Sequence, residues 1–192
     1  IAPLADAVGV LHTHPKLVFV PQQKTLGKFE TEFSNRLYYL EYEPEGRTDW
    51  TGMSTDEDFL DTDDVTDIMK EDSTARINEE ILLRARFLDI IVGDWDRHAK
   101  QWCWVATKEG ADSTLVFHPV ATDRDNVFYG IGGVIPFIIN RPFFVARLRP
   151  FKKNVDHFAG LVQEFDRYFL YHTPEDQFVE AALLLRINLN RG

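Results

Sequence analysis

Two short stretches of the chain hold the residue types that do acid–base and metal chemistry. The first is Gly93-Asp-Trp-Asp-Arg-His-Ala-Lys-Gln101 and the second is Asp123-Arg-Asp125. Between them lie two strand-like runs, Trp102 to Thr107 and Thr114 to Val120. They are joined by Lys108-Glu-Gly-Ala-Asp-Ser113, which has the composition of a hairpin connection. A hairpin holds its two outer ends side by side, so Asp96 and Asp123 are expected close together across 27 positions of sequence. Clustered carboxylates repel and raise one another's pKa values unless positive charge intervenes. A divalent metal, or Arg97 and Arg124, supplies that charge. Hard cations such as magnesium take carboxylate oxygens together with phosphate oxygens. The pattern therefore suits phosphoryl transfer, with one Asp orienting a nucleophile and others holding metal.

The elements that must position these loops follow from local signals. Asn78 is a helix cap, Glu79 and Glu80 favour the positive end of the helix dipole, and Ile81, Leu82, Ala85, Leu88, Asp89 and Val92 form an apolar stripe. Gly93 suits the stop of that helix. Asp89, a carboxylate on the apolar face, is expected to pair with a loop group such as Arg97. Upstream, Ile1 to Leu11 reads as the tail of a helix, Lys16 to Pro21 as a short strand, Thr25 to Asn35 as helical and Arg36 to Tyr42 as a strand. Downstream of the hairpin an irregular stretch with several prolines runs to Pro150. Asn154 to His172 and Pro174 to Leu189 then read as two closing helices, with Thr173 as cap and Pro174 at the first helical position. The fold class expected is α+β: a truncated small α/β lobe over 1–46, an acidic connector over 47–76, and a mainly helical lobe with an embedded β-hairpin over 77–192.

The order helix, Asp-x-x-x-x-(Asn/Gln), hairpin, Asp resembles the catalytic-loop and metal-loop order of protein-kinase-like folds. The likeness is closer to the atypical branches: the HipA kinases, the CotH spore-coat kinases and the secretory casein kinases. It implies a helical kinase-like C-lobe. Gly93-Asp94-Trp95-Asp96-Arg97-His98 is similar to the Asp-Arg-His type of catalytic loop in that group. The resemblance makes Asp96 the catalytic residue that accepts or orients the hydroxyl proton of the acceptor. It makes Asp123 the main metal ligand, with Asp125 and Gln101 as auxiliary ligands, and Asp94 and His98 structural residues beside the site. Asp123-x-Asp125-x-x-Phe128-Tyr-Gly130 looks like the CotH metal loop. The implied cofactors are magnesium or manganese and ATP as phosphoryl donor, with Arg97, Lys100 and Arg124 balancing the polyphosphate. The chain also looks like kinase-like regions of multidomain bacterial envelope proteins. The likeness runs from about Asn78 to Gly133.

Kinase-like enzymes cover the phosphates with a glycine-rich loop and use a strand Lys. Before residue 93 the glycines Gly9, Gly27, Gly46 and Gly52 are isolated, and Lys16 sits at a strand edge after His12-Thr-His14-Pro15. On the resemblance, Ile1 to Leu11 ends the helix beside the nucleotide, the Arg36 to Tyr42 strand is the hinge, and the chain is a fragment of a longer polypeptide. Two alternatives stand beside the enzyme: a catalytically inactive pseudokinase-like binding or structural module, and an Asp-nucleophile phosphatase. The second rests on Asp123-x-Asp125-x-Val127, which matches the haloacid-dehalogenase nucleophile motif. That motif opens a parallel-sheet domain, whereas about 67 residues without a successive βαβ pattern follow Asp125 here. His12 and His14 read as a surface turn before Pro15, because neither a Cys nor a third His stands near them to complete a metal set. Trp102 and Trp104 share one strand face and read as core; Cys103 faces the other way and lacks the setting of a nucleophile.

Composition bounds the rest. The chain has 192 residues, 44% hydrophobic and 27% charged, and a formal net charge of -10. Glu41 to Asp72 contains thirteen of the acids against Arg47 and Lys70, so the remaining chain is close to neutral. That balance argues against non-specific nucleic-acid binding, which needs a cationic surface. It leaves nucleotide binding open, with the acceptor unspecified. The acidic stretch reads as a solvated helical face or a loop. No apolar run reaches the roughly 20 residues of a membrane span. A single cysteine suits the cytosol and equally a bacterial periplasm or cell envelope.

Overall fold

The computed structural model describes residues 1–44, 50–53, 59–94, 97–124, 127–128 and 163–190. The fold is α+β. Its centre is the hairpin β5 (Trp102–Glu109) and β6 (Thr114–Ala121), antiparallel from Trp102↔Ala121 to Glu109↔Thr114. Two further strands, each of two residues, pair with β6 in parallel: β1 (Leu11–His12) opposite Val120 and Ala121, and β4 (Arg76–Ile77) opposite Val116 and Phe117. Pro119 falls between these two partners, where its missing N–H breaks no pairing.

Helix α4 (Glu79–Val92) covers one face of this sheet. Asn78 caps it by accepting from the Ile81 N–H at 3.0 Å, and Gly93 ends it at φ 73°, a left-handed position that glycine takes without steric cost. Leu82, Leu83, Ala85, Leu88 and Val92 are buried against the sheet and against α6 (Glu175–Leu189). Trp102 stacks on Phe165 of α5 (Glu164–Leu170) with centroids 5.2 Å apart, and Trp104 lies 5.2 Å from Phe169. Each fully buried large side chain of this kind stabilises by roughly 1.5–3 kcal/mol. Cys103, Val105 and Val120 form a second, smaller core on the opposite face, with Leu11, Trp50, Met53 and Phe59. Thr173 does not cap α6. Pro174 is itself the N-cap residue, and the Thr173 hydroxyl donates to the Glu79 carboxylate at 2.6 Å, tying the starts of α6 and α4 together.

The first residues belong to this same unit. Helix α1 (Ala2–Ala7) buries Ala5, and Val8 and Val10 join the main core, so a boundary at residue 46 does not separate α1 and β1 from the hairpin. The acidic region is anchored too. Helix α3 (Thr62–Glu71) is capped by Asp61, buries Val65, and presents Asp63, Asp64, Asp67 and Glu71 to solvent. Thr62 donates to the Ala99 carbonyl at 2.8 Å and accepts from Trp104 Nε1 at 3.1 Å. Strands β2 (Lys16–Val20) and β3 (Arg36–Leu40) form a separate antiparallel ribbon. The expected helix over 25–35 is broken at Gly27 (φ 54°, ψ -125°) into a 3-10 turn (Lys24–Phe29) and the short α2 (Glu30–Phe33). Tyr38 meets Phe33 on one face of the ribbon, while Leu17, Phe19, Leu37 and Tyr39 are exposed on the other. Of the first closing helix only the part from Glu164 lies within the described residues. No helix among the described residues is long and apolar enough to cross a membrane.

Candidate functional site

Three chain segments meet at one edge of the sheet. β1 and β6 are parallel and end side by side at His12 and Ala121, and β5 starts at Trp102 opposite the same Ala121. The residues just beyond those ends are 13–14, 122–124 and 97–101. The carboxyl ends of parallel strands are where open α/β sheets bind ligands.

The 97–101 and 122–124 segments are closed on each other by hydrogen bonds. The Thr122 N–H donates to the Gln101 carbonyl at 3.1 Å, and Gln101 Nε2 donates to the Asp123 carboxylate at 3.0 Å. Gln101 Oε1 accepts from the His98 N–H at 3.3 Å. The Gln101 side chain is thus engaged within its own loop through Oε1, and its amide N–H holds the Asp123 carboxylate. Asp123 is exposed at φ 49°, a left-handed conformation that Asp tolerates better than most residues. Lys100 is exposed on the adjoining 3-10 turn, Ala99–Gln101. Asp96 and Asp125 lie outside the described residues.

Beneath this edge is a buried charge network centred on Asp89. Its carboxylate accepts from Arg86 Nη1 at 3.0 Å and from Arg124 Nη2 at 3.1 Å, and stands 3.5 Å from Arg97 Nε. Arg86 also donates through Nε and Nη2 to Asp166 at 2.6 and 2.9 Å. Arg97 donates to the Asp94 carboxylate and to the carbonyls of Thr122 and Gln101, the last at 3.0 Å, and lies over the Trp102 ring at 5.4 Å. Burial pushes the Asp94 carboxyl above its ordinary pKa, against the pull of Arg97. Burial likewise lowers the pKa of Arg124, with Asp89 opposing it.

This network corrects the assignment of Arg97 and Arg124 to a polyphosphate. Arg97 is 1% exposed and the Arg124 side chain 6%, because a carboxylate desolvated at an inward position of α4 requires counter-charge beside it. Arg124 Nε and Nη1 and Asp94 Oδ1 are buried with no hydrogen-bond partner among the described residues. Arg97 fastens the first loop to the second from below, since it bonds carbonyls on both. Asp94 and His98 brace the loop among the described residues: Asp94 receives Arg97 and the Asp94 N–H closes on the Asp89 carbonyl at 2.8 Å, while His98 turns its N–H to Gln101. The Cys103 thiol is pushed up to about 12 by burial, which removes it as a nucleophile.

Sequence reading alone missed a third member beside His12 and His14. Asp6, near the end of α1, accepts from His12 Nε2 at 2.9 Å, and the His14 N–H donates to His12 Nδ1 at 3.0 Å. The His12 and His14 ring centroids are 4.3 Å apart. His12 is buried, and burial lowers its pKa most, opposed by the Asp6 hydrogen bond and assisted by the charges of His14 and then Arg124. Comparison with protein-family models, curated proteins and solved structures finds no match for the chain.

Proposed function

We propose that the chain carries an ATP- and divalent-metal-dependent phosphotransferase centre of the atypical kinase-like type. In it Asp96 takes the proton of the acceptor hydroxyl as the phosphoryl group moves to that oxygen, and Asp123 and Asp125 hold the metal. The observation that supports it most is the closure of the two aspartate-bearing loops, through Thr122 on Gln101 and Gln101 on Asp123. An exposed carboxylate oxygen at such a closure is the donor type that magnesium or manganese accepts alongside substrate phosphates. The bound metal would supply charge neutralisation on the transferring phosphoryl oxygens. The chain's own residues do the positioning. Gln101 orients Asp123, Arg97 holds both loops from beneath, and exposed Lys100 is free to meet an anionic phosphate chain at the rim.

A second reading, a nucleotide-independent binding module, is favoured by one observation. Arg97 and Arg124 are buried on Asp89 and the Gln101 amide faces Asp123, so three of the assigned ligand groups point away from a nucleotide. Calorimetric titration of the intact protein with magnesium and ATP separates the two. The kinase-like reading expects metal-dependent nucleotide binding, weakened in Asp123→Ala. It also expects radiolabel transfer from ATP that is abolished in Asp96→Asn with nucleotide binding retained. Absence of metal-dependent nucleotide binding, or undiminished transfer by Asp96→Asn, overturns it.

A further inference from the structure

We infer that Asp6, His12 and His14 form a binding site for a first-row transition-metal dication of the zinc class. The site is separate in chemistry from the oxygen-donor position at Asp123, and the inference stands independently of phosphoryl transfer. One ligand atom from each of the three residues lies within 4.8 Å of the others, two imidazoles and a carboxylate. Nitrogen-rich donor sets of this kind select zinc, iron, nickel or copper over magnesium and calcium.

Three features of the surrounding chain argue for a ligand there. First, Asp6 lies in the last turn of α1, where the outward carbonyls of a helix favour a cation and disfavour a carboxylate. Second, His14 sits at φ 49° although it carries a side chain, a backbone conformation that proteins retain where surrounding contacts hold it. Those contacts are visible. The Thr13 hydroxyl donates to the Glu41 carboxylate at 2.6 Å, and the Tyr42 N–H donates to the Thr13 carbonyl at 2.9 Å. Together they pin the residue between the two histidines to the chain leaving β3. Third, His12 Nε2 faces the Asp6 carboxylate at 2.9 Å, so two of the three ligand groups are already held side by side.

The partners of the His12 ring nitrogens also define the chemistry of binding. With Nδ1 accepting from the His14 N–H, the neutral ring carries its proton on Nε2, donated to Asp6. A dication that bonds Nε2 and the Asp6 carboxylate takes the place of that proton. The proton moves to Nδ1, and the His14 N–H gives up that acceptor. The His14 ring nitrogen already lies within 4.8 Å of the other two ligand atoms, so side-chain adjustment brings it onto the metal while the Tyr42 N–H keeps the Thr13 carbonyl in place.

Zinc is the probe. The intact protein, stripped with a chelator, is titrated with zinc against a chromophoric competitor while 15N NMR follows the His12 ring. The expected result is one zinc per chain, at least a tenfold loss of affinity in Asp6→Asn and in His14→Gly, and no change in His172→Ala, an exposed histidine elsewhere. His14→Gly keeps the backbone, because glycine adopts φ 49° without steric cost, and a thermal melt of each variant without zinc checks that the fold is retained. The His12 proton should move from Nε2 to Nδ1 on zinc addition. Failure to bind zinc stoichiometrically, affinity unchanged in His14→Gly or Asp6→Asn, or a His12 tautomer indifferent to zinc would each overturn the site.

Discussion

Gln101 Nε2 lies 3.0 Å from the Asp123 carboxylate, so the last residue before the hairpin holds the second residue after it. This relationship makes a prediction about metal rather than about stability alone. Gln101→Leu frees Asp123 and should weaken magnesium binding by about 10–100-fold, the usual cost of losing a residue that orients a ligand. Gln101→Glu removes the same donor and sets a like charge beside Asp123, so positioning predicts that it weakens magnesium binding too. Magnesium-dependent thermal shifts of both variants check this. Tighter binding in Gln101→Glu would mark the position as a ligand instead, and unchanged binding in Gln101→Leu would refute the positioning role.

Asp89 compensates three buried arginines, and its removal should be among the costliest single changes in the chain. Breaking a buried, hydrogen-bonded charge cluster from one side costs about 3–5 kcal/mol. Urea unfolding of Asp89→Asn should show a loss of that size at neutral pH. A loss under about 1 kcal/mol would mean that Arg86, Arg97 and Arg124 are not desolvated as the structure has them.

His118 gives the fold a pH dependence of definite sign. Burial lowers its pKa, opposed by Glu109 at 3.9 Å and assisted by Arg76, while Asn78 and Thr107 bond its two nitrogens. In the unfolded chain it titrates near 6.5. Between that value and its lower folded value the unfolded state binds more protons, so stability falls as pH is lowered through this window and levels off below it. His118→Gln should flatten that slope relative to the parent in unfolding curves taken from pH 8 to pH 5 (about the range in which histidine titrates). Parallel slopes would refute the assignment.

Gly9 and Gly110 test close packing against backbone freedom. Both take left-handed φ values, 65° and 73°, which cost an L-residue about 1–2 kcal/mol. A side-chain carbon at Gly9 would lie 2.8 Å from Arg84 Nη1, whereas nothing lies within 4 Å at Gly110. Arg84 Nη1 donates to the Val8 carbonyl at 3.0 Å, and Gly9→Ala pushes it off. Gly9→Ala should therefore exceed Gly110→Ala by about 1 kcal/mol, one hydrogen bond, in paired thermal melts.

The sequence was most legible where signals are local. Asn78 and Gly93 mark the ends of α4, and the Lys108–Ser113 connector marks the hairpin, because caps and turns are decided within a few residues. The alternation of Trp102, Cys103 and Trp104 gave the two faces of β5 for the same reason. The pairing of Asp89 with Arg97 was legible from one charged residue in an apolar stripe. What escaped depended on distant pairing. β1 is too short to show a period, so nothing local says that His12 lies beside Ala121 or that α1 turns Asp6 toward it. Arg97 and Arg124 were misplaced because a cation next to aspartates in a loop reads as a ligand group. Only the packing of α4 reveals that Asp89 draws both inward.

The network beneath the site also constrains how the chain can diverge. Arg86, Arg97 and Arg124 face Asp89, Asp94 and Asp166, three charges of each sign drawn from four separate stretches of sequence. A descendant that loses one member inherits an unbalanced interior, so tolerated changes should come in opposite-signed pairs or remove the cluster as a block. Covariation among these six positions, including Asp166 on a helix 80 residues from its partner Arg86, is thus the trace this interior would leave in a lineage.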